Sequence, residues 1–301
     1  MSGRRVQLDP LIEGYLSYLT DVRRSAKGTV RDVRCTLRGA SEWMSRHEDG
    51  ASLWKVELRS YLRWLEALRE AGRTPGHLAK NISHLRGLLE YAWRSGRNDR
   101  NVLDGFSLPD SGRQVVPEVL TEEEARGLLE ACPRTTTQER AERTMILLLY
   151  GCGLRTGELC GLDVTHVDRE RRELFVTGKG SRERHVPVPS AVWGELATYL
   201  LDREGKRGPL FRTTVKRCRV DLKLVSEVVQ RAASRAGLTK RVTPKTLRHT
   251  YATHLMAAGV DLAVISELMG HRGPSETGVY LHAFADERRA AVKELHEETA
   301  R

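Results

Sequence analysis

The sequence predicts a mainly α-helical protein of two domains, in which a small β-sheet belongs to the second domain only. Three observations lead to this prediction. In the first 106 residues, apolar side chains recur every three or four positions, which is typical of one face of an α-helix. Two prolines and a glycine interrupt this pattern in residues 107–119. Helical spacing then resumes, broken by one hairpin pattern. We therefore predict a four-helix domain over residues 1–106, a linker over 107–119 and a mixed α+β domain over 120–301.

Four amphipathic helices account for the first domain. Asp9-Pro10 is typical of a helix start, because aspartate is a favoured N-cap and proline is tolerated in the first turn. Thr74-Pro75 gives the same signal for the fourth helix, and Gly96 predicts its end. The apolar faces of the four helices comprise Leu11, Tyr15, Leu16 and Leu19; Val30, Val33, Leu37 and Met44; Leu58, Tyr61, Leu62, Leu65 and Leu68; and Leu78, Ile82, Leu85, Leu89 and Trp93. This domain contains no grouping of side chains that is typical of a catalytic site.

The second domain opens with a helix and contains one clear β signal. Thr121 and Glu124 have the spacing of a capping box, which predicts a helix start. Residues 174–176 and 185–188 are short β-prone segments on either side of a glycine-rich stretch. They predict a β-hairpin with its turn at residues 178–181.

The charge of the chain favours a polyanionic partner. The 301 residues are 40% hydrophobic and 30% charged, as in ordinary globular proteins, but the net charge is +10 and the pI about 9.6. An alternative is a general preference for arginine, since 40 arginines accompany only 10 lysines. Residues 1–119 hold 20 basic and 15 acidic side chains, and residues 120–301 hold 30 and 25, which leaves +5 in each part. Both domains are therefore expected to face the same polyanion.

Cysteine usage and hydropathy predict a cytoplasmic protein. The five cysteines are an odd number without a Cys-x-x-Cys pair, which argues for reduced thiols and against a zinc site; they are Cys35, Cys132, Cys152, Cys160 and Cys218. The first ten residues lack the apolar segment of a signal peptide. The longest apolar run, residues 145–150, is too short to cross a bilayer.

Two segments of the second domain offer side chains for an anion site. In Gly-Leu-Arg-Thr-Gly-Glu-Leu, residues 153–159, the glycines are expected to loosen a turn from which Arg155 projects, with Glu158 close enough to orient it. The alternative is a surface ion pair. Lys179, flanked by glycines at the hairpin tip, has an ammonium group that could protonate a leaving oxygen. The alternative is a solvated turn lysine.

A third segment, residues 243–249, predicts another helix start. Thr243 would cap the helix and Pro244 would occupy its first turn, so that Lys245 and Arg248 lie one turn apart on one face. Basic side chains near a helix N-terminus oppose the helix dipole unless an anion binds there. This arrangement favours a phosphate site.

The fourth segment provides a histidine and a tyrosine. Gly270 is expected to end a helix that Asp261 caps, which leaves His271 on an exposed turn. Ser275 would cap a short helix that contains Tyr280. The alternative is a hydrogen-bonded structural histidine and a packed tyrosine.

The combination of these residue types points to phosphodiester chemistry. Two arginines, two lysines and a histidine can hold one phosphodiester through charge-assisted hydrogen bonds. A nearby tyrosine can attack the phosphorus and form a covalent intermediate. No acidic cluster with metal-ligand spacing occurs in the sequence, so we expect charge stabilisation from side chains alone, without a cofactor.

At this point the chain resembles a known family. The segments GLRTGEL, VTGKGSRERHVPVP, TPKTLRHTYATHL and ELMGH with a later tyrosine resemble the signature of tyrosine recombinases, the phage integrases, and within them the Xer and transposon-integrase branch. The spacing agrees through residues 120–285, and the first domain is similar to the family's core-binding, SAM-like domain. Four segments in the correct order are far more specific than any one of them.

The resemblance implies a C-shaped clamp on double-stranded DNA at specific recombination sites. It also implies a homotetramer on two such sites, acting alone or with a related recombinase, and chemistry that needs neither ATP nor a metal. Possible purposes are integration, excision, and resolution of chromosome or plasmid dimers. The stretches THLMAAGV and YLHAF favour a mobile-element enzyme.

The resemblance also implies a role for each residue of the site. Arg155 and Arg248 would bind the non-bridging oxygens of the scissile phosphate, with Glu158 supporting Arg155. Lys179 would be the general acid for the departing 5′-oxygen, a role that a nearby ammonium group suits. His271 would donate a hydrogen bond to the phosphate, and Tyr280 would form a 3′-phosphotyrosine.

One position departs from the family pattern. The family most often has a histidine where this chain has Lys245. A lysine can donate to phosphate, but at neutral pH it is a poor general base. We therefore assign Lys245 to phosphate binding only.

Two alternatives of other kinds stay open. A type IB topoisomerase shares this chemistry, although the helical first domain and the Xer-like spacing argue against it. A catalytically inactive DNA-binding regulator is the second, against which the intact residue set argues. The stretch 286–301, with Val292 and Leu295 on one side, is expected either to dock on a neighbouring subunit or to form a polar terminal helix.

Overall fold

The computed structural model describes residues 8–108, 118–178, 183–203, 205, 207–215 and 217–270. The chain divides into two compact units, Met1–Arg113 and Gln114–Arg301. Each unit has its own apolar core. No helix in the described ranges is long and apolar enough to cross a membrane.

The first unit contains the four predicted helices. They are α1 (Pro10–Asp21), α2 (Lys27–His47), α3 (Leu58–Glu70) and α4 (Pro75–Arg94). Both predicted starts are confirmed, because the Asp9 carboxylate accepts the Leu11 N–H at 2.8 Å and the Thr74 hydroxyl accepts the His77 N–H at 3.3 Å. Gly96 follows α4 with a φ of +67°, which is the left-handed conformation typical of a helix end.

Two predicted core residues of the first unit lie at the surface instead. Leu62 is 40% exposed and Trp93 is 47% exposed. On α3 the bulky Trp64, which is 4% exposed, fills the core. On α4 the buried positions include Leu88 and Ala92. The reason is geometric. An α-helix has 3.6 residues per turn, so apolar residues spaced three or four positions apart spread over an arc of its surface. A residue at the edge of that arc faces solvent rather than the core.

The second unit contains seven α-helices in its described part. They are α5 (Glu122–Glu130), α6 (Thr137–Gly151), α7 (Thr156–Gly161), α8 (Ser190–Asp202), α9 (Leu222–Arg235), α10 (Pro244–Ala257) and α11 (Leu262–Met269). The predicted capping box is confirmed: the Thr121 N–H donates to the Glu124 carboxylate at 2.8 Å, and the Glu124 N–H donates to the Thr121 hydroxyl at 3.1 Å.

A three-stranded antiparallel sheet completes this unit. Its strands β1 (Val167–Asp168), β2 (Glu173–Thr177) and β3 (Glu183–Pro187) lie in that order. The predicted hairpin is confirmed as β2–β3, although β3 begins earlier than expected. Strand β1 was not predicted, because its two residues are too few to show the alternation of apolar and polar side chains that is typical of a strand. The register pairs Val176 with Arg184 and Thr177 with Glu183.

Helix α6 lies at the centre of this core. Its buried run includes Met145 and Leu149, and α6 packs against α7, α8, α9 and α10. Helix α10 in turn packs against α11, where Ala252, Ile265 and Met269 form a small separate cluster. The end of α6, the start of α10 and the end of α11 are therefore held close together.

Candidate active site

The turn after α6 has a conformation that depends on one glycine. Gly153 has a φ of +59°, and a Cβ there would lie 2.4 Å from the Tyr251 ring on α10. Gly157 does not share this role, because it lies inside α7. The expectation that both glycines shape the turn was therefore wrong for Gly157. Arg155 directly precedes α7, so its side chain projects from this tight turn, as predicted.

Glu158 holds Arg155 at both its backbone and its side chain. One carboxylate oxygen accepts the Arg155 backbone N–H at 2.8 Å, and the other accepts Nη1 of Arg155 at 3.0 Å. The Glu158 side chain is only 3% exposed. The two residues are therefore not the surface ion pair that the sequence left open.

Arg184 is a second cationic partner of Glu158, and sequence reasoning missed it. Its Nη1 and Nη2 donate to the two carboxylate oxygens at 2.7 and 3.0 Å. A signal was available in the sequence. Alternate residues of a strand face the same side, so Arg184 shares a face with Val186, which is buried. A charged residue on a buried strand face needs a charged partner.

Three arginines donate to consecutive carbonyls at the end of α11. Arg184 Nε donates to the Leu268 carbonyl at 3.2 Å, Arg248 Nη2 to that of Met269 at 2.7 Å, and Arg155 Nη2 to that of Gly270 at 2.8 Å. Gly270 has a φ of +61°, which confirms it as the predicted helix end. The last carbonyls of a helix lack partners within the helix and carry partial negative charge, which suits cationic donors.

Arg248 also ties α10 to the turn after α6. Its Nη1 donates to the Gly153 carbonyl, and the residue is 9% exposed. The structure thus brings Arg155, Glu158 and Arg248 together, although they come from separate segments of the sequence. We call Arg155, Glu158, Arg184 and Arg248 the arginine cluster.

Lys245 belongs to the first turn of α10. The predicted helix start is confirmed, since the Thr243 hydroxyl accepts the Thr246 N–H at 3.1 Å and Pro244 occupies the first turn. Lys245 follows in that turn, one turn before Arg248, and is exposed. It forms no ion pair with any residue in the described ranges.

The arginine cluster is cationic. Burial acts to raise the pKa of the Glu158 carboxyl, but hydrogen bonds from Arg184 and Arg155 outweigh burial and hold that pKa below its ordinary value. Glu158 is therefore ionised at neutral pH. Arg155 and Arg184 bind this carboxylate, while Arg248 binds carbonyls, so the cluster has three guanidinium groups for one carboxylate. This excess of positive charge makes the cluster attractive to an anion such as a phosphodiester.

Three of the predicted site residues lie outside the described residues: Lys179, His271 and Tyr280. Ser275, the predicted cap before Tyr280, lies outside them as well. Two features of the described residues lie next to these positions in the sequence. The Gly270 carbonyl, which Arg155 binds, belongs to the peptide bond that leads into His271. Strand β2 ends at Thr177, two residues before Lys179.

All five cysteines are free thiols. Within the part of the chain that the structure describes, no group of three or more His, Cys, Asp or Glu side chains could hold a metal ion. The expectation that the chemistry needs no cofactor stays a prediction.

Comparison with known proteins connects this geometry to a family. Residues 118–287 match the phage integrase family, and residues 12–96 match the phage integrase N-terminal SAM-like domain. A tyrosine recombinase of Thermosipho africanus is 33% identical over 294 residues, which cover 96% of this chain and 100% of that protein. Tyrosine recombinase XerC of Corynebacterium efficiens is 30% identical over 296 residues, covering 97% of this chain and 93% of that protein.

A solved structure shows the same fold. The Tn1549 transposon integrase, in complex with transposon right end DNA, superimposes with a TM-score of 0.73 at 21% identity. The match covers 95% of this chain and 99% of that chain.

Proposed function

The chain belongs to the phage integrase family, the tyrosine recombinases that cut and rejoin DNA, and from this premise we propose how its own residues perform the reaction. We propose that Arg155 and Arg248 of the arginine cluster bind the scissile phosphodiester of a recombination site and that Tyr280 attacks its phosphorus. One observation carries the proposal: Arg155 and Arg248 meet at the end of α11, where they bind the carbonyls of Gly270 and Met269, and Gly270 directly precedes His271 in the sequence.

The arginines would stabilise the charge that develops during the attack. As the Tyr280 oxygen bonds to phosphorus, negative charge grows on the two non-bridging oxygens. Arg155 and Arg248 are held by carbonyls and by Glu158, so they need little rearrangement to meet that charge. Donors fixed in advance in this way commonly contribute a factor of about 10² to 10³ in rate.

The covalent step conserves the energy of the broken bond. The bond from Tyr280 to phosphorus forms, the bond from phosphorus to the 5′-oxygen breaks, and Lys179 gives that oxygen a proton. The Tyr280 proton leaves to water or through His271, since Lys245 is a poor base at neutral pH. Attack by another 5′-hydroxyl on the 3′-phosphotyrosine reverses these changes and joins a new strand.

The two domains are proposed to share the DNA. Residues 1–106 would form the core-binding domain and residues 120–301 the catalytic domain, joined by the linker 107–119. The equal division of positive charge supports contact by both, and the DNA complex of the Tn1549 integrase supports it by analogy. The C-shaped clamp stays a prediction.

The assembly and setting of the reaction are further parts of the proposal. We propose a homotetramer on two DNA sites, acting in the cytoplasm, where the five free cysteines would stay reduced. The likeness in fold to a transposon integrase supports a mobile-element role, and the likeness in sequence to XerC supports dimer resolution. Genes that flank the coding sequence would separate these two purposes.

A covalent-trapping experiment tests the nucleophile. The substrate is a nicked suicide duplex with a site selected from random DNA by its binding to the protein. Tyr280→Phe should abolish covalent attachment and leave the dissociation constant for the duplex nearly unchanged, because only the attacking oxygen is removed. Attachment that persists in Tyr280→Phe would contradict the assignment.

A matched control is available in Tyr251→Phe. Tyr251 lies beside Gly153, near the arginine cluster, but burial raises the pKa of its hydroxyl to about 12. It is therefore a poor nucleophile, and Tyr251→Phe should still attach to DNA. The same assay tests the alternatives: an inactive regulator would form no covalent complex, and a topoisomerase would relax plasmid DNA without recombining two sites.

A further inference from the structure

Arg184 joins three parts of the second unit that meet at the arginine cluster. It lies near the start of β3, on the hairpin that bears Lys179. Its two terminal nitrogens bind both oxygens of Glu158, and Nε binds the Leu268 carbonyl in α11. One guanidinium group thus connects the hairpin, the turn that holds Arg155, and the end of α11.

The contact with α11 is close and extends to Gly270, the residue that directly follows this helix. A Cβ on Gly270 would lie 2.9 Å from Nη1 and 3.0 Å from Cζ of Arg184. The guanidinium group therefore packs against the backbone of Gly270, whose carbonyl receives Arg155. Arg184 and Arg155 therefore both contact the same short segment, residues 268–270, which directly precedes His271.

Glu158 depends on Arg184 to orient Arg155. A bidentate arginine–carboxylate pair fixes the plane of the carboxylate. Arg184 supplies this pair, and its side chain is 17% exposed, so water competes only weakly for the carboxylate. Without Arg184, only Arg155 itself, through its backbone N–H and its side chain, would hold the carboxylate, so the orientation of both side chains would be less firmly fixed.

We propose that Arg184 is a positioning residue for DNA cleavage, which fixes Glu158 and the end of α11 so that Arg155 stays aimed at the scissile phosphate. This inference rests on the proposed function. Arg184 needs no contact with DNA in this role, because it acts through Arg155. Its loss should therefore slow the chemical step and leave DNA binding almost unchanged.

The first test compares Arg184→Gln with a structural control in the same unit. Arg143 is a buried arginine, whose Nε donates to Glu195 at 3.0 Å and whose Nη1 donates to the Leu129 carbonyl in α5. Arg143→Gln should cost similar thermal stability without affecting the site. Arg184→Gln should slow single-turnover cleavage of the suicide duplex about 100-fold, as expected for misplacement of a reacting group by an ångström. The dissociation constants of both variants should stay within about threefold of the parent.

The second test asks whether Arg184 acts through Arg155. In an Arg155→Lys background, Arg184→Gln should cause almost no further loss of cleavage, because the oriented guanidinium group is already gone. Losses that multiply would mean that Arg184 only stabilises the fold, and would overturn the proposal. Equal slowing by Arg143→Gln and Arg184→Gln would also overturn it.

Two further controls keep the result interpretable. Arg184→Lys retains the charge without the bidentate geometry, so it should cleave at a rate between those of Arg184→Gln and the parent. If Arg184→Gln does not fold, Arg184→Lys replaces it in both tests. If the parent protein itself forms no covalent complex with the duplex, the proposed function fails. If the parent cleaves and the Arg184 variants cleave equally fast, only this inference fails.

Discussion

Two largely buried arginine–glutamate pairs of the second unit have similar local contacts and different charge balances. Arg143 binds Glu195 and the Leu129 carbonyl, and Arg184 binds Glu158 and the Leu268 carbonyl. Each arginine therefore combines a carboxylate with a helical carbonyl. A buried guanidinium needs such partners wherever it occurs, so these contacts alone do not identify a functional site.

The difference lies in what surrounds each glutamate. Glu195 pairs with Arg143 and, at 3.4 Å, with Arg134, whose side chain is 60% exposed to water. Glu158 pairs with Arg155 and Arg184 while almost wholly buried, and Arg248 is fixed beside them by the carbonyls of neighbouring segments. An excess of positive charge around one buried carboxylate, with each arginine fixed by hydrogen bonds, distinguishes an anion site from a structural ion pair.

The largest expected effect is that of Arg248→Ala. Removing this side chain should lower cleavage of the suicide duplex about 1000-fold, because a fixed donor to the phosphate is lost. It should also lower the free energy of unfolding by about 3 kcal/mol, since the carbonyls of Gly153 and Met269 lose their donor. Urea unfolding and single-turnover cleavage measure the two effects.

Arg143→Ala sharpens this first result. It should cost a comparable free energy of unfolding, because Arg143 is equally buried, yet leave cleavage close to the parental rate. If Arg248→Ala cleaves as fast as Arg143→Ala, then both arginines only stabilise the fold, and Arg248 has no part in the site.

A smaller effect, with a pH signature, is expected for Glu158→Gln. Cleavage should fall about 10-fold, because Arg155 loses its charged support. The pKa of Glu158 in the folded protein lies below its ordinary value of 4.5. The ionised carboxylate therefore stabilises the fold above pH 4.5, and this stabilisation is lost as the pH falls through the pKa of the folded protein. The stability difference between the parent and Glu158→Gln should therefore be full at neutral pH and shrink below pH 4.5.

Chemical unfolding at a series of pH values measures this difference. Glu195→Gln serves as the control for cleavage, which it should not affect, since Glu195 supports Arg143 alone among the buried arginines. A stability difference that grows as the pH falls would contradict the sign expected for Glu158.

Local signals explain why so much of the fold was predictable. A cap and its partner lie within three residues of one another, so Asp9, Thr121 and Gly270 could be identified from neighbours in the sequence. The pair of Arg184 with Glu158 joins positions 26 residues apart, and only the packing of the hairpin against α7 brings them together. The burial predicted for Leu62 and Trp93 was wrong for a related reason: the neighbouring helix determines which residues at the edge of an apolar stripe are covered.

The smallest combined effect, a loss of cleavage without a loss of stability, is expected at Lys245, which shares α10 with Arg248 and differs from it in burial. Arg248 is almost wholly buried and braced by two carbonyls, whereas Lys245 is exposed in the first turn of the helix. An exposed ammonium group keeps much of its hydration, and salt screens its attraction for phosphate. Its contact with the scissile phosphate should therefore contribute less than that of Arg248.

Substitutions at Lys245 separate a phosphate contact from a surface lysine. Lys245→Ala should slow single-turnover cleavage of the suicide duplex about 10-fold, as for the loss of one charge-assisted hydrogen bond of roughly 1.5 kcal/mol. Stability should stay unchanged, because the side chain is exposed. Lys245→His should keep substantial activity, since the family commonly has histidine at this position and imidazole also donates to phosphate. Cleavage by Lys245→Ala at the parental rate would mean that the arginine cluster binds the phosphate without help from the first turn of α10.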